Sequence, residues 1–272
     1  MASIVSTQYL ARPHGRIGFD VQGSGPLIVL VPGMGELRST YRFLAPALVE
    51  AGYTVATTDL RGHGDSDATF ASYGDRDTAD DVAALIRLLG GPAVIVGNSM
   101  GAGAAVIVAA QHPELVSGLV LIGPFVRNPP TSAFAAAMFR VLMARPWAAA
   151  AWKAYLPTLY AGAKPADFAA YRDRVAAALR RPGYARAFSL TTRTDHAPAE
   201  ASLGGVKAPV LVVMGEKDPD FTSPRAEAEW IADAVGGEVV IVADAGHYPQ
   251  AQQPEQTATA VIAFLERGEH RA

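Results

Sequence analysis

The chain has no cysteine among its 272 residues, which excludes disulfides, thiolate catalysis and cysteine-ligated metal sites. It lacks a strong charge of either sign: Lys and Arg nearly balance Asp and Glu at a formal net of -3, so there is no global basic footprint for nucleic acid. A long uninterrupted apolar run is missing as well. The most apolar stretch, 134–155, is broken by Arg140, Arg145, Pro146 and Lys153, whereas a spanning helix needs about 20 largely apolar residues. The first 13 residues contain no basic segment followed by an apolar one, so no signal peptide is expected and a cytoplasmic location is the default expectation. No glycine-rich phosphate loop or metal-ligand spacing stands out, so neither cofactor nor metal is expected. What remains, 50% apolar and 18% charged residues, is ordinary for a globular protein able to bury a large core.

Apolar runs alternate with helical patterns. Strands are expected at 27–31, 54–58, 93–96, 119–122, 209–214 and 238–242, and helices at 41–51, 78–89 and after residue 99. Such alternation implies βαβ crossovers and a mostly parallel, doubly wound sheet. Two segments that alternate more strictly, 4–10 and 16–22, predict an antiparallel start. Between 122 and 209 the pattern turns into Ala-rich helical stretches punctuated by Pro129-Pro130, Pro146, Pro165 and Pro182-Gly183.

Gly97-Asn98-Ser99-Met100-Gly101 joins an apolar run to a helical one. In that context Gly-x-Ser-x-Gly forms a nucleophile elbow, with the serine strained and exposed and both glycines permitting close passage of the helix. Ser99 is therefore the candidate nucleophile. A serine hydroxyl needs a base to take its proton, and an acid to hold that base's tautomer. In this chain order they should follow the late strands. Gly215-Glu216-Lys217-Asp218 and Ala243-Asp244-Ala245-Gly246-His247 stand there, which selects His247 as base. Asp220 and Glu216 are close enough to Asp218 to compete for the role of acid.

These blocks, together with Val31-Pro32-Gly33-Met34-Gly35 and the run Asp59 to Ser66, resemble the α/β-hydrolase family over nearly the whole chain. The resemblance implies an α/β-hydrolase fold of about eight strands. It places a core domain at 1–127 and 201–272 and a helical cap at 128–200, between strands six and seven. It favours Asp218 as the acid and implies an oxyanion hole from the backbone N–H groups of Met34 and Met100. Pro32 departs from the histidine that often precedes the first glycine of that loop, and Gly123-Pro124 leave an alternative acid position empty. The cap holds ten Lys or Arg against four Asp or Glu, a formal +6, with -9 left on the remainder. That asymmetry suits either electrostatic docking of the cap or pairing of Arg140, Arg145, Arg181 or Arg193 with a substrate carboxylate. Gly33, Asn98, Arg140, Arg193, His196 and Tyr248 are the candidate substrate-binding residues. His196 is a capping or solvated residue unless it faces the pocket.

The expected function is a cofactor-free serine hydrolase cleaving an ester, lactone or similar small acyl substrate, apolar or carboxylate-bearing, through an acyl-enzyme. Alternatives are a carbon-carbon bond hydrolase acting on a diketone, which the Asn98-Ser99-Met100 elbow resembles, peroxide chemistry on the same triad, or a ligand-binding or lyase protein on this scaffold.

Overall fold

The computed structural model describes residues 6–130 and 132–269. Its centre is one eight-stranded sheet in the order β1-β2-β4-β3-β5-β6-β7-β8. The strands are β1 (Gln8–Arg12), β2 (Gly15–Gln22), β3 (Leu27–Val31), β4 (Thr54–Thr58), β5 (Ala93–Asn98), β6 (Val116–Ile122), β7 (Val210–Gly215) and β8 (Glu238–Val242). β1 and β2 pair antiparallel, as do β2 and β4, and every later pairing is parallel. The strands expected at 27–31, 54–58 and 238–242 have those bounds. The first lies later than the expected 4–10, part of which falls outside the described residues. It is set by the turn at Pro13-His14, where His14 takes φ 71° and brings Arg12 opposite Gly15.

Helices cover both faces because the central strands are apolar on both. In β3, Val29 and Val31 point into one core, while Ile28 and Leu30 point into the other, the period of two that a pleated strand requires. The first core packs under α2 (Asp75–Leu89), α3 (Met100–Gln111) and α9 (Pro224–Val235). The second packs under α1 (Leu44–Glu50) and α11 (Pro254–Glu269). Helix α3 is built almost entirely from Ala, Gly and Val and is buried nearly throughout, so it can lie close against both β5 and α2.

Among the described residues five α-helices occupy the chain between β6 and β7: α4 (Ala133–Leu142), α5 (Ala148–Leu159), α6 (Phe168–Leu179), α7 (Tyr184–Thr191) and α8 (Ala197–Ser202). Trp152, Leu156, Tyr160, Tyr171 and Phe188 of this segment form a third core with Tyr248 and Ala251, which flank and enter α10 (Pro249–Gln252). Among the described residues no helix is long and apolar enough to cross a membrane.

The carboxyl ends of the strands bring backbone against backbone. A Cβ on Gly97 would sit 2.4 Å from the Gly101 carbonyl oxygen, and one on Gly215 would sit 1.9 Å from that of Gly246. Gly97→Ala must therefore displace the start of α3, and overpacking of this kind costs about 1–3 kcal/mol. Thermal unfolding of Gly97→Ala is expected to show that loss, and an unchanged Tm would contradict the packing described.

Candidate active site

Ser99 lies between β5 and α3 with φ 55°, a left-handed conformation that a serine adopts only when the surroundings impose it. Its N–H is bonded to the Ile122 carbonyl at 2.9 Å. Gly33 lies directly beneath, since a Cβ there would come within 2.7 Å of the Ser99 Cβ. The strain predicted for the elbow is present, and the surrounding glycines give it room.

His247 and Asp218 come from the loops after β8 and β7. Nδ1 of His247 donates to Oδ2 of Asp218 at 2.8 Å, and both side chains are almost wholly buried. Gly123 makes the approach possible, because a Cβ there would lie 3.2 Å from Nδ1 and 3.3 Å from Oδ2. Asp220 is the weaker partner at 3.5 Å from Nδ1, and its backbone N–H donates to Oδ1 of Asp218 at 3.1 Å. Burial alone would lower the His247 pKa, but the Asp218 and Asp220 carboxylates outweigh it and raise it to about 9. Ligand atoms of Asp218, Asp220 and His247 lie within 4.8 Å of one another, a cluster able to face a cation. At 2.8 Å, however, the His247–Asp218 contact is a hydrogen bond, and its proton occupies the line between the two ligand atoms.

Ser99 and His247 open on one cavity of about 620 Å³, whose lining includes Met34, Met100, Arg140, Arg193, His196 and Tyr248. Asn98 and Gly33 are outside that lining. The Asn98 amide instead donates to the carbonyls of Ile122, at 3.0 Å, and His247, at 3.2 Å, so it ties the elbow to the histidine loop. Arg181 is turned away from the cavity and donates to the Gly64 carbonyl. A second cavity of about 640 Å³, lined by Arg38, Asp59 and Arg181 among others, contains neither Ser99 nor His247.

The loop carrying Met34 is fixed by residues that no motif announces. The Gly35 N–H donates to Nε2 of His63 at 3.0 Å, and the Gly35 carbonyl accepts from Trp152 Nε1 at 2.9 Å. Nδ1 of His63 faces the Arg61 carbonyl at 2.9 Å, so the ring is neutral with its proton on Nδ1, and burial lowers its pKa to about 4. The next residue, Glu36, is wholly buried and accepts from Tyr171 Oη at 2.6 Å. Desolvation raises its pKa to about 7 despite that bond. His63 stands in the Asp59 to Ser66 block, which gave a signal, but only of a turn. Trp152 and Glu36 had none.

An elbow serine, a buried His–Asp pair and a cavity come together at the carboxyl ends of a mostly parallel sheet. The sequence matches the alpha/beta hydrolase family over residues 28–260, and the chain belongs to that family. It is 33% identical to 2-(acetamidomethylene)succinate hydrolase of Mesorhizobium japonicum over 97% of this chain and 98% of that protein. It is 32% identical to pimeloyl-[acyl-carrier protein] methyl ester esterase of Neisseria meningitidis over 88% of this chain and 93% of that one. A malate-bound thermophilic esterase of Thermogutta terrifontis superposes with a TM-score of 0.81 at 25% identity, covering 97% of this chain and 99% of its own. Hydrolase chemistry is the activity class these relationships support.

Two outcomes follow from the loop geometry. His63→Phe removes the acceptor for the Gly35 N–H, and, with Met34 as the expected oxyanion donor in that loop, kcat is expected to fall by about 10². Ester assays beside a Tm measurement check this, and wild-type kcat in a folded variant would contradict it. For Glu36, a folded pKa of about 7 above an ordinary 4.5 means the protonated acid is favoured in the folded state. That contribution is complete below about pH 4.5 and is lost as pH rises through 7. Glu36→Gln should therefore lose less stability than wild type between pH 5 and 8, and parallel Tm curves would refute it.

Proposed function

We propose that the protein is a cofactor-free serine hydrolase acting through an acyl-enzyme on a small, carboxylate-bearing ester, lactone or related acyl compound. The observation that carries the reading is the buried His247–Asp218 bond opening on the same cavity as the strained Ser99. With Nδ1 committed to Asp218, Nε2 is the nitrogen left to take the Ser99 proton. Ser99 Oγ attacks the acyl carbon, and the resulting oxyanion is received by the N–H groups of Met100, at the first turn of α3, and Met34. His247 then returns the proton to the leaving group, and water attacks the acyl-enzyme by the same route.

In this reading Asp218 is the acid, and residues 128–200 are a cap over the pocket. The carboxylate preference is supported by Arg140 and Arg193 in the lining and by the succinate in the name of one relative. The malate in the third relative's structure points the same way. The carbon-carbon alternative rests on the resemblance of the Asn98-Ser99-Met100 elbow and on the basic insert; the Asn98 amide itself donates to two backbone carbonyls.

Intact mass after brief exposure to a fluorophosphonate is expected to show one adduct in wild type and none in Ser99→Ala or His247→Ala. An unlabelled, folded wild type would remove the proposal. Because His247 must be neutral to accept a proton and its pKa is raised to about 9, kcat/KM for an aryl ester should still climb with pH above 7. A profile flat from pH 6 to 9 would contradict His247 as base.

A further inference from the structure

A second histidine–aspartate pair stands in the cavity wall, apart from the one that serves Ser99. Nδ1 of His196 is 2.8 Å from Oδ2 of Asp75, whose side chain is fully buried at the start of α2. Oδ1 of Asp75 has no partner among the described residues. The histidine is held on three sides. Its backbone N–H donates to Asn128 Oδ1 at 3.0 Å, and the Asn128 amide donates to Asp195 at 2.7 Å. Its ring lies 5.5 Å from that of Phe125, and the Phe125 ring lies 5.7 Å from that of His247. Gly103 keeps the space clear, since a Cβ there would come within 3.1 Å of Asp75 Oδ2 and 2.6 Å of the Phe125 carbonyl.

So fixed an imidazole needs a reason. The acyl-transfer steps do not use it, because Ser99 has its own base. A buried carboxylate is costly unless something in the fold or the ligand answers its charge. With Nδ1 bound to Asp75, the tautomer is set and Nε2 is the ring nitrogen available to the cavity, which His196 lines together with Arg193, three residues earlier, and Arg140. Neither arginine has an ion-pair partner among the described residues. The acidic neighbour Asp195 is already engaged by Asn128 and by the Ala197 N–H.

We propose that His196, oriented by Asp75, is the specificity-determining site for a carboxylate on the substrate. This rests on the hydrolase reading above. A carboxylate arriving at Nε2, together with one proton taken up from solvent, completes a carboxylate–imidazolium–carboxylate array in which both ring nitrogens donate, and Arg193 and Arg140 supply further positive charge around it. Asp75 touches no substrate and is a positioning residue.

The test compares mono-4-nitrophenyl succinate with its neutral methyl ester, following nitrophenol release. Wild type should prefer the acid. In His196→Phe that preference should fall by about tenfold or more through KM, because a site built around a polar contact discriminates strongly when the contact is lost. Any loss on the methyl ester should be smaller than the loss on the acid. Asp75→Asn should move the preference in the same direction by less. Equal losses on both substrates, or an undiminished preference, would overturn the proposal. Calorimetric titration with glutarate reads the site without turnover. Binding by wild type that is lost in His196→Phe supports it even where neither ester is cleaved, and binding that is absent from wild type or equal in both overturns it. Should the phenylalanine variant fail to fold, His196→Ala is put through the same titration.

Discussion

The reacting end of this molecule depends on one steric constraint: backbone must pass backbone, without side chains between, at the carboxyl ends of β3, β5, β6 and β7. Gly97 against Gly101, Gly123 against the His247 carbonyl and Gly215 against Gly246 are three instances of that requirement, and Gly33 gives room to the Ser99 side chain in the same place. Each brings one loop to within van der Waals contact of the next. The His247–Asp218 bond exists at 2.8 Å because these approaches leave no slack between the two loops that supply it. The left-handed Ser99 is a product of the same crowding, with its N–H bound to Ile122 and its side chain left at the cavity.

The inserted helices are not a passive cover. Trp152 bonds the Gly35 carbonyl, Tyr171 bonds Glu36, the Leu159 carbonyl accepts the His247 N–H at 2.8 Å, and Arg42 pairs with Asp167 at 2.6 Å. These contacts reach both the loop expected to receive an oxyanion and the loop that carries the histidine. The opposite formal charges of insert and remainder are not what these contacts express: Arg42 of the acidic body meets an acid of the basic insert, and Arg181 of the insert meets a backbone carbonyl of the body. Charge balance alone does not describe the docking, because much of it is made by aromatic residues shared with Tyr248.

Most of the sheet was legible because its signal is local. β3, β4 and β8 are short apolar runs between turn residues, and each has the bounds its run suggests. The elbow, the acid loop and the histidine loop were legible for a related reason: their residue types follow strands in a fixed order. Asp218 and Asp220 were harder to separate because both end within 3.5 Å of the same nitrogen, and only the 2.8 Å bond distinguishes them. His63, Glu36, Trp152 and Asp75 could not be assigned from their neighbours in the chain. What each one does is defined by a partner 28 to 135 residues away. No local pattern encodes a contact of that kind.

The two histidine–aspartate pairs show how one motif takes different roles by placement. In both, a buried carboxylate holds Nδ1 at 2.8 Å, and Nε2 is the nitrogen to which the proposed roles are given. His247 is only 2% exposed and follows the last strand, where the loop packing turns it toward the elbow. His196 is 14% exposed, caps a helix of the inserted segment and is separated from His247 by the Phe125 ring. Phe125 and both imidazoles line one cavity. In the proposed reading, a substrate with a carboxylate at one end and an acyl carbon at the other meets His196 and Ser99 at once, so that binding the charged end orients the reacting one.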